Sequence, residues 1–115
     1  MKRIKVYIAS AYTNGDVALN VRAQIDVANE LMNMGFVPFA PLLTHFQHMV
    51  HPRSYDSWLI DYDFEWLDVC DCLLRIKNGN SPGADKEEER AEKNGQEVFY
   101  SIEELVKYYT SLGLI

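Results

Sequence analysis

The sequence contains only two cysteines, Cys70 and Cys72, and they stand one residue apart. If both lie on one strand, their side chains point to opposite faces of the sheet, so a disulfide between them is implausible. We therefore expect reduced thiols. A chain of 115 residues is long enough to build a hydrophobic core without cross-links.

An excess of basic residues is also missing. The net charge is −6 and the pI is about 4.9, whereas proteins that bind DNA or RNA usually carry a basic surface. We therefore expect no nucleic-acid polymer as a partner. A single nucleotide can still bind to an acidic protein through local backbone N–H groups.

Long apolar runs, linkers and repeats are absent as well. No run reaches the roughly 20 residues that a membrane-spanning helix needs, so we expect no membrane partner. No signal peptide precedes the first apolar segment, which predicts a cytoplasmic protein. The absence of a linker predicts a single domain over residues 1–115.

What the sequence does contain is an alternation of short apolar runs with segments of helical periodicity. The predicted strands are Ile4–Ala9, Phe36–Ala40, Asp71–Ile76 and Glu97–Tyr100. Strands that alternate with helices are typical of an α/β fold with a parallel sheet. Pro38 lacks a backbone N–H, so the second strand should lie at a sheet edge.

Four helices are predicted between and after these strands. The first ends at Gly35, the second spans Tyr55–Leu67, and the last two begin after Ser81 and Ser101. Glu104 lies three residues after Ser101, which predicts a capping box. The apolar stripe of the first helix consists of Val17, Val21, Ile25, Ala28 and Met32.

The helix that follows Ser81 opens with the features of an anion site. Ser81 suits the N-cap, and Pro82 suits the first helical position. The free N–H groups of the first turn and the helix macrodipole favour an anion there. Gly83 would let a ligand approach the backbone closely.

Glu87 is the glutamate of this helix that points inward. At about 100° per residue it falls between Ala84 and Ala91, on the side with small apolar residues, whereas Glu88 and Glu89 point elsewhere. We therefore interpret Glu87 as a candidate active-site carboxylate. The alternative is an acidic surface helix in which Glu87 is merely peripheral.

Asp63 breaks the pattern of the helix Tyr55–Leu67. It lies four residues after Leu59 and four before Leu67, so its carboxylate shares their apolar face. A buried charge is costly without partners, and an acid in such a position often has a shifted pKa and a function. The alternative, a structural aspartate that caps a neighbouring loop, stays open.

All three histidines lie in the segment Pro41–Ser54, which we predict to be a loop or irregular. The residues His45, His48 and His51 recur regularly, but no carboxylate or cysteine lies at ligand spacing from them. We therefore expect no metal. His45 is considered a candidate ligand contact.

Three loops follow the carboxyl ends of predicted strands. They are Ser10–Asp16, Pro41–Ser54 and Lys77–Gly83. In an open parallel α/β sheet this edge is where ligands bind. We expect the first loop, Asp63 and Glu87 to converge there.

Three motifs stand in order along nearly the whole chain. They are the segment YIASAY from Tyr7 to Tyr12, the motif Asp63-x-x-Trp66-Leu67-x-x-Cys70-Asp71 and the motif Ser81-x-Gly83-x-x-x-Glu87-x-x-x-Ala91. Together they resemble the nucleoside 2-deoxyribosyltransferase superfamily, which includes 2′-deoxynucleoside 5′-monophosphate N-glycosidases. The resemblance implies a three-layer flavodoxin-like (Rossmann-like) domain with a four- to five-stranded, mainly parallel sheet.

The resemblance also implies an activity. Members of the superfamily cleave the N-glycosidic bond of 2′-deoxynucleosides with a glutamate nucleophile, and Glu87 matches that position. Asp63 matches an aspartate that assists, and Tyr7 matches a tyrosine that orients the nucleophile. A core tyrosine with its hydroxyl bonded to the backbone is the alternative explanation for Tyr7. No cofactor is implied.

The position six residues before the nucleophile distinguishes the branches of the superfamily. Transferases carry an aspartate that engages the base, whereas the monophosphate hydrolases carry a serine that binds phosphate, as Ser81 does in this match. The hydrolases also place an arginine in the first loop, where this chain has Thr13 and Asn14 as hydrogen-bond donors instead. The other residues that we assign to substrate binding are Ser10, Tyr12, His45 and Gly83.

Two alternatives to this activity stay open. One is a non-catalytic nucleotide-binding or sensing module of the same fold, which could dispense with Glu87 and Asp63. The other is a glycosidase that acts on a ribonucleotide or a dinucleotide. Because relatives pair their subunits near the active site, the resemblance also implies a homodimer or a higher homo-oligomer.

Overall fold

Four parallel strands form the sheet in the computed structural model, which describes residues 3–115. They are β1 (Lys5–Ala9), β2 (Val37–Phe39), β3 (Cys72–Arg75) and β4 (Glu97–Phe99), in the spatial order β2-β1-β3-β4. The α/β class and the parallel sheet are confirmed. The strand that contains Pro38 lies at an edge, also as predicted.

Six α-helices connect and cover these strands in the described part of the chain. They are α1 (Val17–Asn33), α2 (His45–Val50), α3 (Tyr55–Trp58), α4 (Phe64–Asp68), α5 (Pro82–Lys93) and α6 (Ile102–Ser111). A 3-10 helix over Pro41–Thr44 precedes α2, and a π-helical turn over Leu59–Asp63 joins α3 to α4. Within residues 3–115, no helix has the length and apolar character needed to cross a membrane.

The sheet separates two hydrophobic layers, because side chains alternate between the faces of each strand. One layer contains α1 and α6, and its buried residues include Val6, Ile8, Leu31 and Leu105. The other contains α4 and α5, and its buried residues include Tyr7, Ala9, Leu67, Ala84 and Ala91. This arrangement is compatible with the three-layer flavodoxin-like fold that we expected.

Helix ends follow the local signals in the sequence. Ser81 Oγ accepts a hydrogen bond of 3.1 Å from a first-turn N–H of α5, and Ser101 Oγ does the same in α6. The carboxylate of Glu104 accepts from the N–H of Tyr100, one residue before the cap. Gly35 has a φ of 93°, a left-handed conformation that suits glycine after the end of α1.

The buried face of α1 differs from the predicted one. Ile25 and Met32 are 41% and 62% exposed, whereas Asn20, Gln24 and Leu31 are buried. The two polar residues hydrogen-bond the segments beside the carboxyl end of β1. The predicted stripe is therefore wrong at Ile25 and Met32, whereas Ala28 does pack against the core. Burial of polar residues such as Asn20 and Gln24 leaves no hydrophobic pattern in the sequence.

The segment Pro41–Ser54 is more regular than predicted. It contains the 3-10 helix and α2, and the hydroxyl of Thr44 donates to the carbonyl of Pro41 at 2.8 Å. Both helices are short, so neither develops the repeated apolar spacing by which longer helices are identified.

The predicted helix Tyr55–Leu67 is present but changes its winding. The N–H of Phe64 donates to the carbonyl of Leu59, five residues earlier, which defines the π-helical turn. Such turns accommodate one extra residue and frequently occur at functional sites. Asp63 is the last residue of this turn.

Cys70 and Cys72 are both free, as predicted. Cys72 belongs to β3, whereas Cys70 precedes it, and the two pack in different hydrophobic layers.

Candidate functional site

A cavity of about 300 Å³ opens at the carboxyl end of the sheet. Its walls come from the loop after β1, the segment between β2 and α4, and the first turns of α5. This volume is at the lower end of the range for small-ligand sites. The position is the one at which open parallel α/β sheets bind ligands.

Most of the residues that the sequence suggested line this cavity. They are Ser10, Tyr12, Thr13, Asn14, Asp63, Ser81, Gly83 and Glu87. Tyr7 is fully buried and contacts the carboxylate of Glu87. His45 is not part of the lining, and its Nδ1 instead lies 2.5 Å from the hydroxyl of Tyr12.

Glu87 projects from the inner side of α5. It is 6% exposed and lies on the same helix face as Ala84 and Ala91, which are also buried. The small side chains allow α5 to approach the sheet closely, so the carboxylate reaches the hydroxyl of Tyr7 on β1. The sequence therefore predicted correctly which of the three consecutive glutamates points inward.

Tyr7 donates its hydroxyl hydrogen to Glu87 Oε2. Burial, followed by the neighbouring charge of Glu87, raises the pKa of Tyr7 well above its ordinary value. The phenol therefore stays protonated and acts as a hydrogen-bond donor. Its ring also stacks on Phe39 of β2, with 5.7 Å between the ring centroids, which fixes its direction.

Asp63 reaches the same cavity from the π-helical turn. Its Oδ1 is buried and has no hydrogen-bond partner among the described residues. Burial raises the pKa of Asp63 to about 7. The carboxyl group is therefore balanced between its acid and its base form near neutral pH, and one oxygen is free to meet a ligand.

Asp63 influences the protonation of Glu87. Burial raises the pKa of Glu87 to about 8; the hydrogen bond from Tyr7 opposes this rise, Asp63 adds to it, and the charge of Arg75 opposes it. Two acids with such values share one proton between about pH 7 and pH 8. The cavity thus combines a carboxylate with a carboxylic acid, the pair of groups that glycosidic cleavage requires.

Gln24 fixes the wall formed by the end of β1. Its Nε2 donates to Ser10 Oγ at 2.9 Å and to the carbonyl of Ile8 at 3.2 Å, and its Oε1 accepts from the N–H of Leu42 at 2.9 Å. Gln24 therefore joins the first loop to the 3-10 helix, and both segments line the cavity.

The rest of the first loop is held by asparagines. Asn20 Nδ2 donates to the carbonyls of Tyr12 and Asn14, each at 2.9 Å, and Asn78 Oδ1 accepts from the N–H of Ala11 at 2.9 Å. The backbone is thus fixed from two sides.

His48, rather than His45, lines the cavity. Trp58 Nε1–H donates to His48 Nδ1 at 2.8 Å. Because an indole N–H can only donate, Nδ1 is the acceptor, and neutral His48 carries its proton on Nε2. His48 therefore has one N–H left to donate to another partner.

The first turns of α5 present the elements of an anion site. Ser81 and Gly83 line the cavity, and a Cβ on Gly83 would meet no atom within 4 Å. Lys86 lines the same wall, with its Nζ 3.6 Å from Asp56 Oδ1. Lys86 thus supplies a positive charge at the cavity, although the first loop contains none.

Sequence reasoning missed Gln24, His48 and Lys86 as lining residues. Lys86 could have been found, because it lies three residues after Gly83 and so shares its helix face. Gln24 and His48 carry no such signal, since polar residues on helices are usually exposed. Their positions depend on contacts between distant segments.

No group of three or more histidine, cysteine, aspartate or glutamate side chains within residues 3–115 is placed to hold a metal ion.

Comparison with curated proteins gives no match for this chain. A family model described as a domain of unknown function (DUF7768) matches residues 4–101. The match covers most of the chain and includes every residue assigned above to the cavity, together with Tyr7. The chain therefore belongs to the DUF7768 family.

Proposed function

We propose that this protein cleaves the N-glycosidic bond of 2′-deoxynucleoside 5′-monophosphates, or of the free nucleosides, through a covalent intermediate on Glu87. The observation that carries this proposal is the buried Glu87 carboxyl, which accepts a hydrogen bond from Tyr7 in a cavity that it shares with Asp63. The three-motif resemblance supports the same activity. We also propose a homo-oligomer, which the resemblance implies, and a cytoplasmic location.

In the first step, the Glu87 carboxylate attacks C1′ of the sugar as the bond between C1′ and the base nitrogen breaks. The bonding electron pair leaves with the base, which takes a proton from Asp63. A glutamyl–deoxyribosyl ester is formed, and Tyr7 keeps the attacking carboxylate in position. Splitting the reaction into two steps is the advantage of a carboxylate nucleophile.

In the second step, water attacks C1′ and gives a proton to the Asp63 carboxylate. The ester bond breaks, Glu87 leaves as a carboxylate, and 2-deoxyribose 5-phosphate is released. If a second base takes the place of water, the product is a new nucleotide. The reactive form of the pair has Glu87 ionised and Asp63 protonated, which is the less populated of the two singly protonated forms because the pKa of Glu87 is the higher one.

The phosphate group would bind at the start of α5. Ser81 and Gly83 line the cavity there, and Lys86 offers a cation on the same wall. Free N–H groups at a helix N-terminus favour a phosphate dianion, and the lysine adds a point charge. This combination supports a phosphorylated substrate in spite of the missing arginine.

Release of free base tests the proposal directly. Purified protein is incubated with a panel of deoxynucleosides, their 5′-monophosphates and the matching ribonucleotides, and the products are separated by chromatography. We expect base release that falls by about 100-fold or more in Glu87→Gln. Glu89→Gln, an exposed neighbour on the same helix, serves as the control and should match the wild type.

Two results would contradict the proposal: wild-type turnover in Glu87→Gln, or no base release from any member of the panel. Release from ribonucleotides alone would instead identify a glycosidase for another nucleotide.

A non-catalytic nucleotide-binding module is the second candidate. It is favoured by the raised pKa of Glu87, about 8, because a protonated carboxyl binds ligands by hydrogen bonds and does not attack carbon. Such a module would bind deoxynucleoside monophosphates in calorimetry, keep that affinity in Glu87→Gln and release no base.

A further inference from the structure

Arg75 is a buried cation that the steps above do not use. It is the last residue of β3 and only 4% exposed. Its Nη1 lies 2.9 Å from Asp85 Oδ1 and 3.6 Å from Glu88 Oε1. Its Nε has no hydrogen-bond partner in the described part of the chain, nor has Glu88 Oε1.

A buried arginine that attaches a helix to a sheet carries a large desolvation free energy. Removing a cation from water is costly, and a pair of apolar side chains usually stabilises such a contact as well or better. One of the two partners, Asp85, is 71% exposed, so its attraction is weakened by solvent. Attachment of α5 therefore does not by itself explain a charge at this position.

The location of Arg75 suggests what the charge does. In the sheet, Arg75 is in register with Ala9, two residues beyond Tyr7 on β1. Its two carboxylate partners lie on either side of Glu87 in α5, two residues before and one residue after it. The guanidinium group therefore lies beneath the part of α5 from which Glu87 projects.

The groups that act on the charge of Glu87 come from three elements. Tyr7 of β1 donates a hydrogen bond, Asp63 of the π-helical turn adds a negative charge, and Arg75 of β3 adds a positive charge. Of these three, only Arg75 is a cation, and a guanidinium group does not lose its proton in proteins. Its attraction is therefore present at every pH at which the protein is folded.

We propose that Arg75 is a positioning residue for Glu87: its ion pairs with Asp85 and Glu88 hold this part of α5 against β3, and its charge favours the ionised form of Glu87. The second half of this inference deepens the proposed function, on which it rests, because an ionised Glu87 is the form that attacks. The attachment of α5 to β3 by these ion pairs does not depend on whether the protein turns over a substrate.

The titration of Glu87 tests this inference without any substrate. Carbon-detected NMR of protein labelled on glutamate carboxyls follows each group, and the difference from Glu87→Gln identifies the Glu87 signal. In Arg75→Met we expect the titration midpoint of Glu87 to rise by about one pH unit, the size typical of a lost neighbouring charge. In Arg75→Lys, which keeps the charge, the midpoint should stay near that of the wild type.

Glu88→Gln is the matched control for helix attachment. It breaks one of the two ion pairs that Arg75→Met breaks, but it leaves the cation in place and removes a competing anion. We therefore expect the Glu87 midpoint to fall in Glu88→Gln and to rise in Arg75→Met. If Arg75→Met does not fold, the direction in which the Glu87 midpoint moves in Glu88→Gln still tests the inference.

An unchanged Glu87 midpoint in both variants would overturn the inference, and so would shifts of the same sign. With active protein, the acid limb of the pH–rate profile should move with the midpoint and kcat should fall more than KM changes. A protein that releases no base refutes the proposed function, yet the NMR titration still decides the role of Arg75.

Discussion

The three consecutive glutamates of α5 have three different surroundings. Glu87 is buried against Tyr7, Glu88 is 20% exposed beside Arg75, and Glu89 is exposed with its Oε1 3.5 Å from Lys93 Nζ. Helical geometry separates their directions, and each direction leads to a different partner. One residue type therefore provides a candidate nucleophile, an anchor and a surface charge within one turn.

Burial of Glu87 predicts a pH-dependent effect on stability. The pKa of Glu87 is raised from 4.5 to about 8, so the folded state holds this proton more tightly than the unfolded state. Stability is therefore lost as the pH rises from about 4.5 to about 8, where a charge must be buried. Removing the charge in Glu87→Gln should stabilise the protein at pH 9 by up to about 5 kcal/mol, since each unit of the pKa shift corresponds to about 1.4 kcal/mol, and have little effect at pH 4.

Urea unfolding at the two pH values measures this difference. The exposed variant Glu89→Gln should show no comparable pH dependence. A stability change in Glu87→Gln that is equal at both pH values would mean that the folded state does not hold the proton more tightly.

At the scale of single elements, the starts and ends of helices were largely predictable. Ser81, Ser101 and Gly35 act through contacts within a few residues, so the sequence carries the whole signal. The π-helical turn was not predictable. Leu59, Asp63 and Leu67 have a spacing that suits an ordinary α-helix, so the extra residue leaves no local signal in the sequence.

Gly83, near the start of α5, provides a prediction at this scale. Its backbone is not in the left-handed region, and an added Cβ would meet no atom within 4 Å. Gly83→Ala should therefore leave the fold intact and stabilise it by about 0.5–1 kcal/mol, the usual effect in a helix. The methyl group would occupy part of the cavity, so affinity for deoxynucleoside monophosphates should fall several-fold.

Calorimetry for binding and urea unfolding for stability separate the two effects. Gly35→Ala is the matched control: its φ of 93° strains an alanine, so stability should fall while ligand affinity stays constant. Unchanged affinity in Gly83→Ala would mean that the ligand does not bind at the start of α5.

At the scale of the whole molecule, the parallel sheet assembles a site from residues far apart in the chain. Tyr7, Asp63 and Glu87 come from β1, the π-helical turn and α5. The sequence predicted this convergence, because carboxyl ends of parallel strands share one edge. It could not predict His48, Gln24 or Arg75, whose roles depend on which segments pack side by side.

The shared proton of Asp63 and Glu87 predicts a bell-shaped pH dependence of kcat/KM. Well below pH 7 both carboxyls are protonated, so no nucleophile is present; well above pH 8 both are ionised, so no acid is left for the base. The rate should therefore be highest between about pH 7 and pH 8. Initial rates of base release from pH 5 to pH 10 measure the profile.

Asp63→Asn is the informative variant for this profile. It removes the group that donates the proton and also a negative charge next to Glu87. The alkaline limb should disappear, and the remaining limb should follow the titration of Glu87, whose pKa falls without the charge of Asp63. A wild-type rate that is constant from pH 6 to pH 9 would contradict the shared-proton description.

The π-helical turn has a consequence for comparing members of the family. Because the turn absorbs one extra residue, deleting one residue between Leu59 and Asp63 would restore an ordinary α-helix and leave the helix after it in its present direction. The same deletion from a continuous α-helix would rotate everything after it by about 100°. We therefore expect members of the family to differ by one residue at this turn more readily than elsewhere in the helix, with Leu67 still facing the core.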